Sequence, residues 1–115
     1  MEPTLAEMLE AVDAAITVCD LDLTILYMNA KAGKTFEANG GRSLVGSSLA
    51  DCHKPGSTEK IRQIVASGLP NVYTISKNGV NKMIWQAPWK KDGTISGLVE
   101  ISIPLPDSMP HHDRG

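Results

Sequence analysis

The spacing of apolar and polar positions divides this chain into elements. Leu5, Met8, Leu9 and Val12 fall at i, i+3, i+4 and i+7, one stripe of an amphipathic helix. Thr4 and Glu7 frame its start as a capping box, each side chain placed to bond the other's backbone N–H. From Ala15 the period drops to two: Ile16 and Val18 alternate with Thr17 and Cys19, the pattern of a half-buried strand. Asp20-Leu21-Asp22 carries turn chemistry, because an Asp side chain bonds the backbone two residues on. Thr24 to Met28 is a second strand, rich in β-formers. Asn29 then stands where an N-cap belongs, ahead of an Ala-rich helix that runs to Phe36, with Gly40-Gly41 as its terminator.

The stretch from Ser43 to His53 predicts one or two short helical turns and an irregular connection, with Leu44, Val45 and Leu49 as buried candidates. Pro55-Gly56 breaks the chain. Ser57 caps a helix to about Ser67, with Ile61, Ile64 and Val65 on its buried face and Gly68 and Pro70 ending it. Three strands follow. Asn71 to Lys77 alternates Val72, Thr74 and Ser76 against Tyr73 and Ile75. Asn78-Gly79 is a tight-turn signal, and Val80 to Trp89 puts Met83, Trp85, Ala87 and Trp89 on one face. Pro88 favours an edge or a bulge near that strand's end. After Asp92-Gly93, Thr94 to Pro104 puts Val99, Ile101 and Ile103 on one face and Leu98, Glu100 and Ser102 on the other.

Five strands with the helices grouped between the second and third predict an α+β fold, an antiparallel sheet with short helices on one face. The expected division is an N-terminal helix over 1–13, a domain over 14–104 and a polar, Pro-rich tail over 105–115. At 115 residues the chain is long enough for one real core, and its 42% apolar and 21% charged residues are ordinary for a globular domain. A net charge of −2 gives no electrostatic reason to expect nucleic acid or an anionic membrane as partner. No apolar run approaches a bilayer span, and the N-terminus lacks a signal peptide's basic and apolar regions, so the expected location is cytoplasmic. Cys19 and Cys52 lack C-x-x-C spacing and read as free thiols, Cys19 as a small core residue.

The order strand, Asp-rich turn, strand, Asn-capped helix resembles the opening of a PAS domain. The residues that carry the resemblance are Val18-Cys19-Asp20, Ile25 to Met28, Asn29-x-x-Ala32, Leu44-Val45-Gly46 and Gly97-Leu98-Val99. It extends over roughly Val12 to Pro104. The resemblance implies a sheet in the order 2-1-5-4-3 and a sensory or signalling role. It also implies that the first helix covers the outer sheet face or forms a dimer contact, the expected homodimer meeting through Leu5, Met8, Leu9, Val12 and the sheet face. The signalling partner is then met in trans or carried by a longer parent chain.

Sheet and helices would enclose a pocket. Its candidate lining is Val18, Tyr27, Phe36, Leu49, Ile61, Ile64, Val65, Tyr73, Trp85 and Val99, unless these simply fill the core. Cys52-His53 is the sharpest chemical candidate. Heme-binding PAS relatives hold iron through a His in this region, so the resemblance makes heme a candidate cofactor with His53 as its metal ligand. The alternative is a histidine that locks a loop by bonding backbone. Flavin photochemistry is disfavoured, because Asp51-Cys52-His53-Lys54-Pro55-Gly56 shares only its Cys with the light-sensing motif. Cys52 could also serve as a redox-responsive thiol. Catalysis is not expected: adjacent Cys and His side chains diverge, and Asp20 and Asp22 serve the turn. The function expected is a sensor that binds a small molecule or cofactor and relays its state. The alternative is a ligand-free interaction and dimerisation module.

Overall fold

A computed structural model describes residues 2–48 and 55–115, with the side chains of 55–58 outside the description. Helix α1 (Leu5–Glu10) opens on the expected capping box: Thr4 Oγ1 accepts from the Glu7 N–H at 3.1 Å, and Glu7 Oε1 accepts from the Thr4 N–H at 2.9 Å. Strands β1 (Ala15–Asp20) and β2 (Ile25–Met28) form an antiparallel pair with a bulge between Val18 and Cys19. Asp20 Oδ1 closes the intervening loop by accepting from the N–H groups of Asp22 and Thr24, both at 2.9 Å. That loop holds Leu23 at φ 64°, with the residue only 2% exposed. A leucine in this left-handed region costs roughly 1–2 kcal/mol, which burial of the side chain offsets.

Asn29 caps helix α2 (Ala30–Thr35), and two 3-10 turns follow at Glu37–Asn39 and Gly41–Leu44. Helix α3 spans Pro55–Ser67. The expected break at Pro55-Gly56 is therefore its first turn, where a proline's missing N–H has no intrahelical partner to lose. Strands β3 (Asn71–Lys77), β4 (Val80–Lys91) and β5 (Thr94–Leu105) form a meander. Both of its hairpins turn through two residues of positive φ: Asn78 and Gly79 at 53° and 79°, Asp92 and Gly93 at 52° and 80°. That is the twist-matched type I′ geometry. The ladder between β4 and β5 slips at Trp89/Lys90, beside Pro88, and both strands run past their expected ends.

The sheet order is β2-β1-β5-β4-β3, all antiparallel, as the resemblance implies. Helices α2 and α3 lie on the same face. Ala32 from α2 and Ile61 and Ile64 from α3 pack with Cys19, Ile25, Met28 and Leu98 into one core. Gly97 lets β1 and β5 close: a Cβ there would collide with the Cys19 carbonyl and the indole nitrogen of Trp89. That indole donates to the Cys19 carbonyl at 2.9 Å. The core fills one end of the helix-covered face and leaves the other end open.

Candidate functional site

The open end is organised by strand register. Thr17 on β1 faces Glu100 on β5, Glu100 faces Gln86 on β4, and Gln86 faces Asn71 on β3. This gives a polar row across four strands of the helix-covered face. Asn71 Nδ2 donates to Gln86 Oε1 at 2.9 Å, and Gln86 Nε2 donates to Glu100 Oε1 at 3.2 Å. Thr17 and Gln86 are buried, so the row is part of the interior. The next row on the same face is Ala15, Ser102, Ile84 and Tyr73. Beyond it Lys82 faces Ile75, and Lys77 ends the face.

Phe36 and Thr35, at the end of α2, stand over these rows and close a cleft of about 200 Å³. Its floor passes from the Thr17–Glu100 row through Ile84 and Ser102 to the lysines. Burial, and secondarily the charge of Glu100, raises the Tyr73 phenol above its ordinary range, so it is a hydrogen-bonding hydroxyl at neutral pH. Burial pushes the Cys19 thiol up to about 11, which makes it inert core rather than a nucleophile.

The structure brings only part of the expected lining together. Phe36 and Tyr73 line the cleft. Ile61 and Ile64 are core, and Val65 is half-buried beside them. Tyr27 and Trp85 do not face the cleft, and this corrects the expectation. Trp85 pairs with Ile101 and Val72, one residue out of phase with cleft-lining Ile84, so it points from the opposite face and is 40% exposed. Tyr27 pairs with Val18, which pairs with Val99, on that same opposite face. The Tyr27 hydroxyl donates to Glu10 Oε1 at 3.2 Å. Leu49, Cys52 and His53 lie outside the described residues. Heme rests on His53 alone, and no described cleft residue is a histidine or cysteine.

Ala15, Thr35, Ile75, Lys77 and Ile84 line the cleft without having been singled out from sequence, and the polar residues missed on β1, β4 and β5 are Thr17, Lys82, Gln86, Glu100 and Ser102. Their signal was present as the polar phase of each alternating strand. The apolar phase reads as the inner one by default, and on β1, β4 and β5 it is the outer one, whereas on β3 Tyr73 and Ile75 face the cleft.

The N-terminal helix is tied to this body by polar contacts. Arg42 meets the Glu10 carboxylate with two nitrogens, each at 3.2 Å, and Lys31 pairs with Asp13 at 3.0 Å. Its apolar stripe stays out: Leu5 is 71% exposed, and Met8 and Val12 are also exposed. No described helix is long and apolar enough to cross a membrane.

Solved structures with the same architecture include the PAS domain of a protein from Colwellia psychrerythraea. It is 23% identical, with a TM-score of 0.63 over 87% of this chain and 92% of that one. A sensory box sensor histidine kinase from Vibrio cholerae matches at 16% identity and a TM-score of 0.58, over 89% of this chain and 90% of that one. VqmA of Vibrio cholerae, solved as a complex with ligand and DNA, matches at 18% identity and a TM-score of 0.71. There 93% of this chain aligns with 54% of VqmA, so the chain spans about half of that protein. VqmA is also described as a dimer. A search of curated proteins returns no match. The sequence profile described as PAS fold matches residues 9–70, more than half of the chain. With that match and the 2-1-5-4-3 sheet in place, the chain belongs to the PAS-fold family.

Proposed function

We propose that this chain is a sensory domain that binds a small molecule in the cleft and relays its occupancy to a partner, without catalysing a reaction. The observation that carries this reading is the cleft itself. It lies between α2 and the sheet, and its floor mixes apolar side chains with Thr17 and Glu100, the latter held by a part-buried hydrogen-bonded row through Gln86 and Asn71. A concave site with a few convergent polar groups is how proteins select small ligands. Binding shifts an output only if two conformations differ in affinity for the ligand. The same β1 and β5 that carry Thr17, Glu100 and Ser102 carry Ile16, Val18, Val99 and Ile101 on the opposite face, so one pair of strands touches both ligand and partner.

The partner proposed is a second copy, meeting through that outer sheet face and the stripe of Leu5, Met8, Leu9 and Val12, in which Leu5, Met8 and Val12 are exposed and Leu9 is half-buried. VqmA's dimeric state supports this reading. The compartment proposed is the cytoplasm, which suits the free buried thiol of Cys19.

The test is native mass spectrometry of the wild type and of Ser102→Phe, which fills the cleft. The wild type, purified or incubated with a metabolite extract, is expected to carry an added small-molecule mass that Ser102→Phe lacks. A bare mass for the wild type under both conditions overturns the sensor reading. A stable dimer in that case would favour the ligand-free interaction module, which the exposed Leu5 and Met8 also suit.

A further inference from the structure

We propose that the cleft selects a small organic carboxylate that carries a hydrogen-bond donor at its opposite end. This rests on the sensor reading and adds the chemical class of the ligand. The first observation is a concentration of positive charge at one end. Lys77 faces Val80 and Lys82 faces Ile75, so the two lysines are diagonal neighbours on the cleft side of one hairpin. Diagonal side chains on a sheet sit on the order of 7–8 Å apart, within the range of mutual repulsion. Among the described residues neither lysine is paired with a carboxylate. An anion seated between them removes the repulsion and gains two charge-assisted bonds.

The second observation is the opposite polarity of the other end. Asn71 donates to Gln86 Oε1, which turns the Gln86 amide nitrogen toward Glu100. An ionised carboxylate accepts only, and it has sites for several donors. Glu100 therefore presents acceptor capacity to the cleft that Gln86 alone does not exhaust. The two ends are set apart by the strand. Glu100 faces Gln86, four residues along β4 from Lys82, or roughly 13 Å of backbone. Between them the surface is Ile84, Ser102 and Phe36, suited to a flat or aliphatic body. A volume near 200 Å³ lies below the ~300 Å³ at which sites for drug-sized ligands begin, so the ligand is smaller than these.

The test uses three matched probes on the full chain: 4-(aminomethyl)benzoate, its methyl ester and 4-methylbenzoate. Calorimetry measures affinity, and amide resonances of Thr17, Tyr73 and Ser102 report the place of binding. The amino acid is expected to bind at the cleft at least tenfold more tightly than either truncated probe. Lys82→Met is expected to weaken it tenfold or more and leave the ester unchanged. Glu100→Gln is expected to weaken it and leave 4-methylbenzoate unchanged. Lys34→Met, outside the cleft, should change nothing. Because it relieves repulsion, Lys82→Met should melt at or above the wild-type temperature, so lost binding is not lost folding. Equal affinity for acid and ester, or full affinity in Lys82→Met, overturns the carboxylate class and leaves the sensor reading standing. Cleft resonances unmoved by all three probes also overturn it. A bare wild-type mass by native spectrometry is the separate result that would remove the sensor reading as well.

Discussion

Cys19 is 1% exposed, and its thiol stays neutral to about pH 11 because burial disfavours the thiolate. Once the chain unfolds, the same thiol ionises near its ordinary value of 9.0. Between those values the unfolded state binds fewer protons than the folded one, so stability falls as pH rises. Below about pH 9 the contribution is fully present. A pKa difference of one is worth about 1.4 kcal/mol, so the whole loss is bounded at about 3 kcal/mol. Tyr27 and Tyr73 are also raised and add to the decline at still higher pH. Denaturant unfolding at about pH 8 and about pH 10.5 checks this. The wild type should lose on the order of 2 kcal/mol between them. Cys19→Ala should start lower, from lost packing, and decline less. Equal declines in the two proteins would mean that Cys19 does not carry the alkaline sensitivity.

Asn29 joins three elements through one side chain. Its Oδ1 accepts from the Ala32 N–H at 3.0 Å, capping α2, and from the Ile16 N–H of β1 at 2.9 Å. Its Nδ2 donates to the carbonyls of Ala14 at 2.9 Å and Leu9 at 3.1 Å, the latter in α1. Loss of the cap with exposure of buried partners puts Asn29→Ala at about 3 kcal/mol. Asn29→Asp separates the two functions, since it keeps the acceptor and loses the donor. Hydrogen exchange should then show α2 still protected and the end of α1 opened. Protection of α1 unchanged in Asn29→Asp would remove the tether. The cap was legible in the sequence because its partner is three residues away. The tether was not, because Leu9 and Ile16 meet Asn29 only through the tertiary fold. The strands divide the same way: Asn78-Gly79 and Asp92-Gly93 announce their hairpins locally, while alternation defines two faces without saying which is inner. Trp85 lies outside because the more apolar phase of β4 is the outer one, and Tyr27 lies outside because the β1–β2 bulge turns both Ile25 and Met28 to the core.

That inversion matters most for the whole molecule. On the face opposite the cleft Ile16, Ile101, Trp85 and Val72 form one row, buried at its Ile16 end and exposed at Trp85 and Val72, which leaves unmet apolar surface over β3 and β4. Trp85 is 40% exposed and Val72 46%. A surface of this kind, centred on a tryptophan, is suited to association. A second copy covering it would bury on the order of 800 Å² per protomer in a standard interface. Light scattering should therefore find a dimer at micromolar concentration and a monomer for Trp85→Glu, which places a charge at the centre of the row. Leu5→Glu with Met8→Glu distinguishes the contribution of α1: a dimer weakened tenfold or more assigns the stripe to the interface, and an unchanged one confines the interface to the sheet. Trp85→Glu should keep its cleft ligand, because its side chain and the cleft lie on opposite faces. A Trp85→Glu dimer as tight as the wild type would sink the sheet-face interface. A monomer that had also lost its ligand would instead show that cleft and interface fold as one unit, so that occupancy of one is felt at the other.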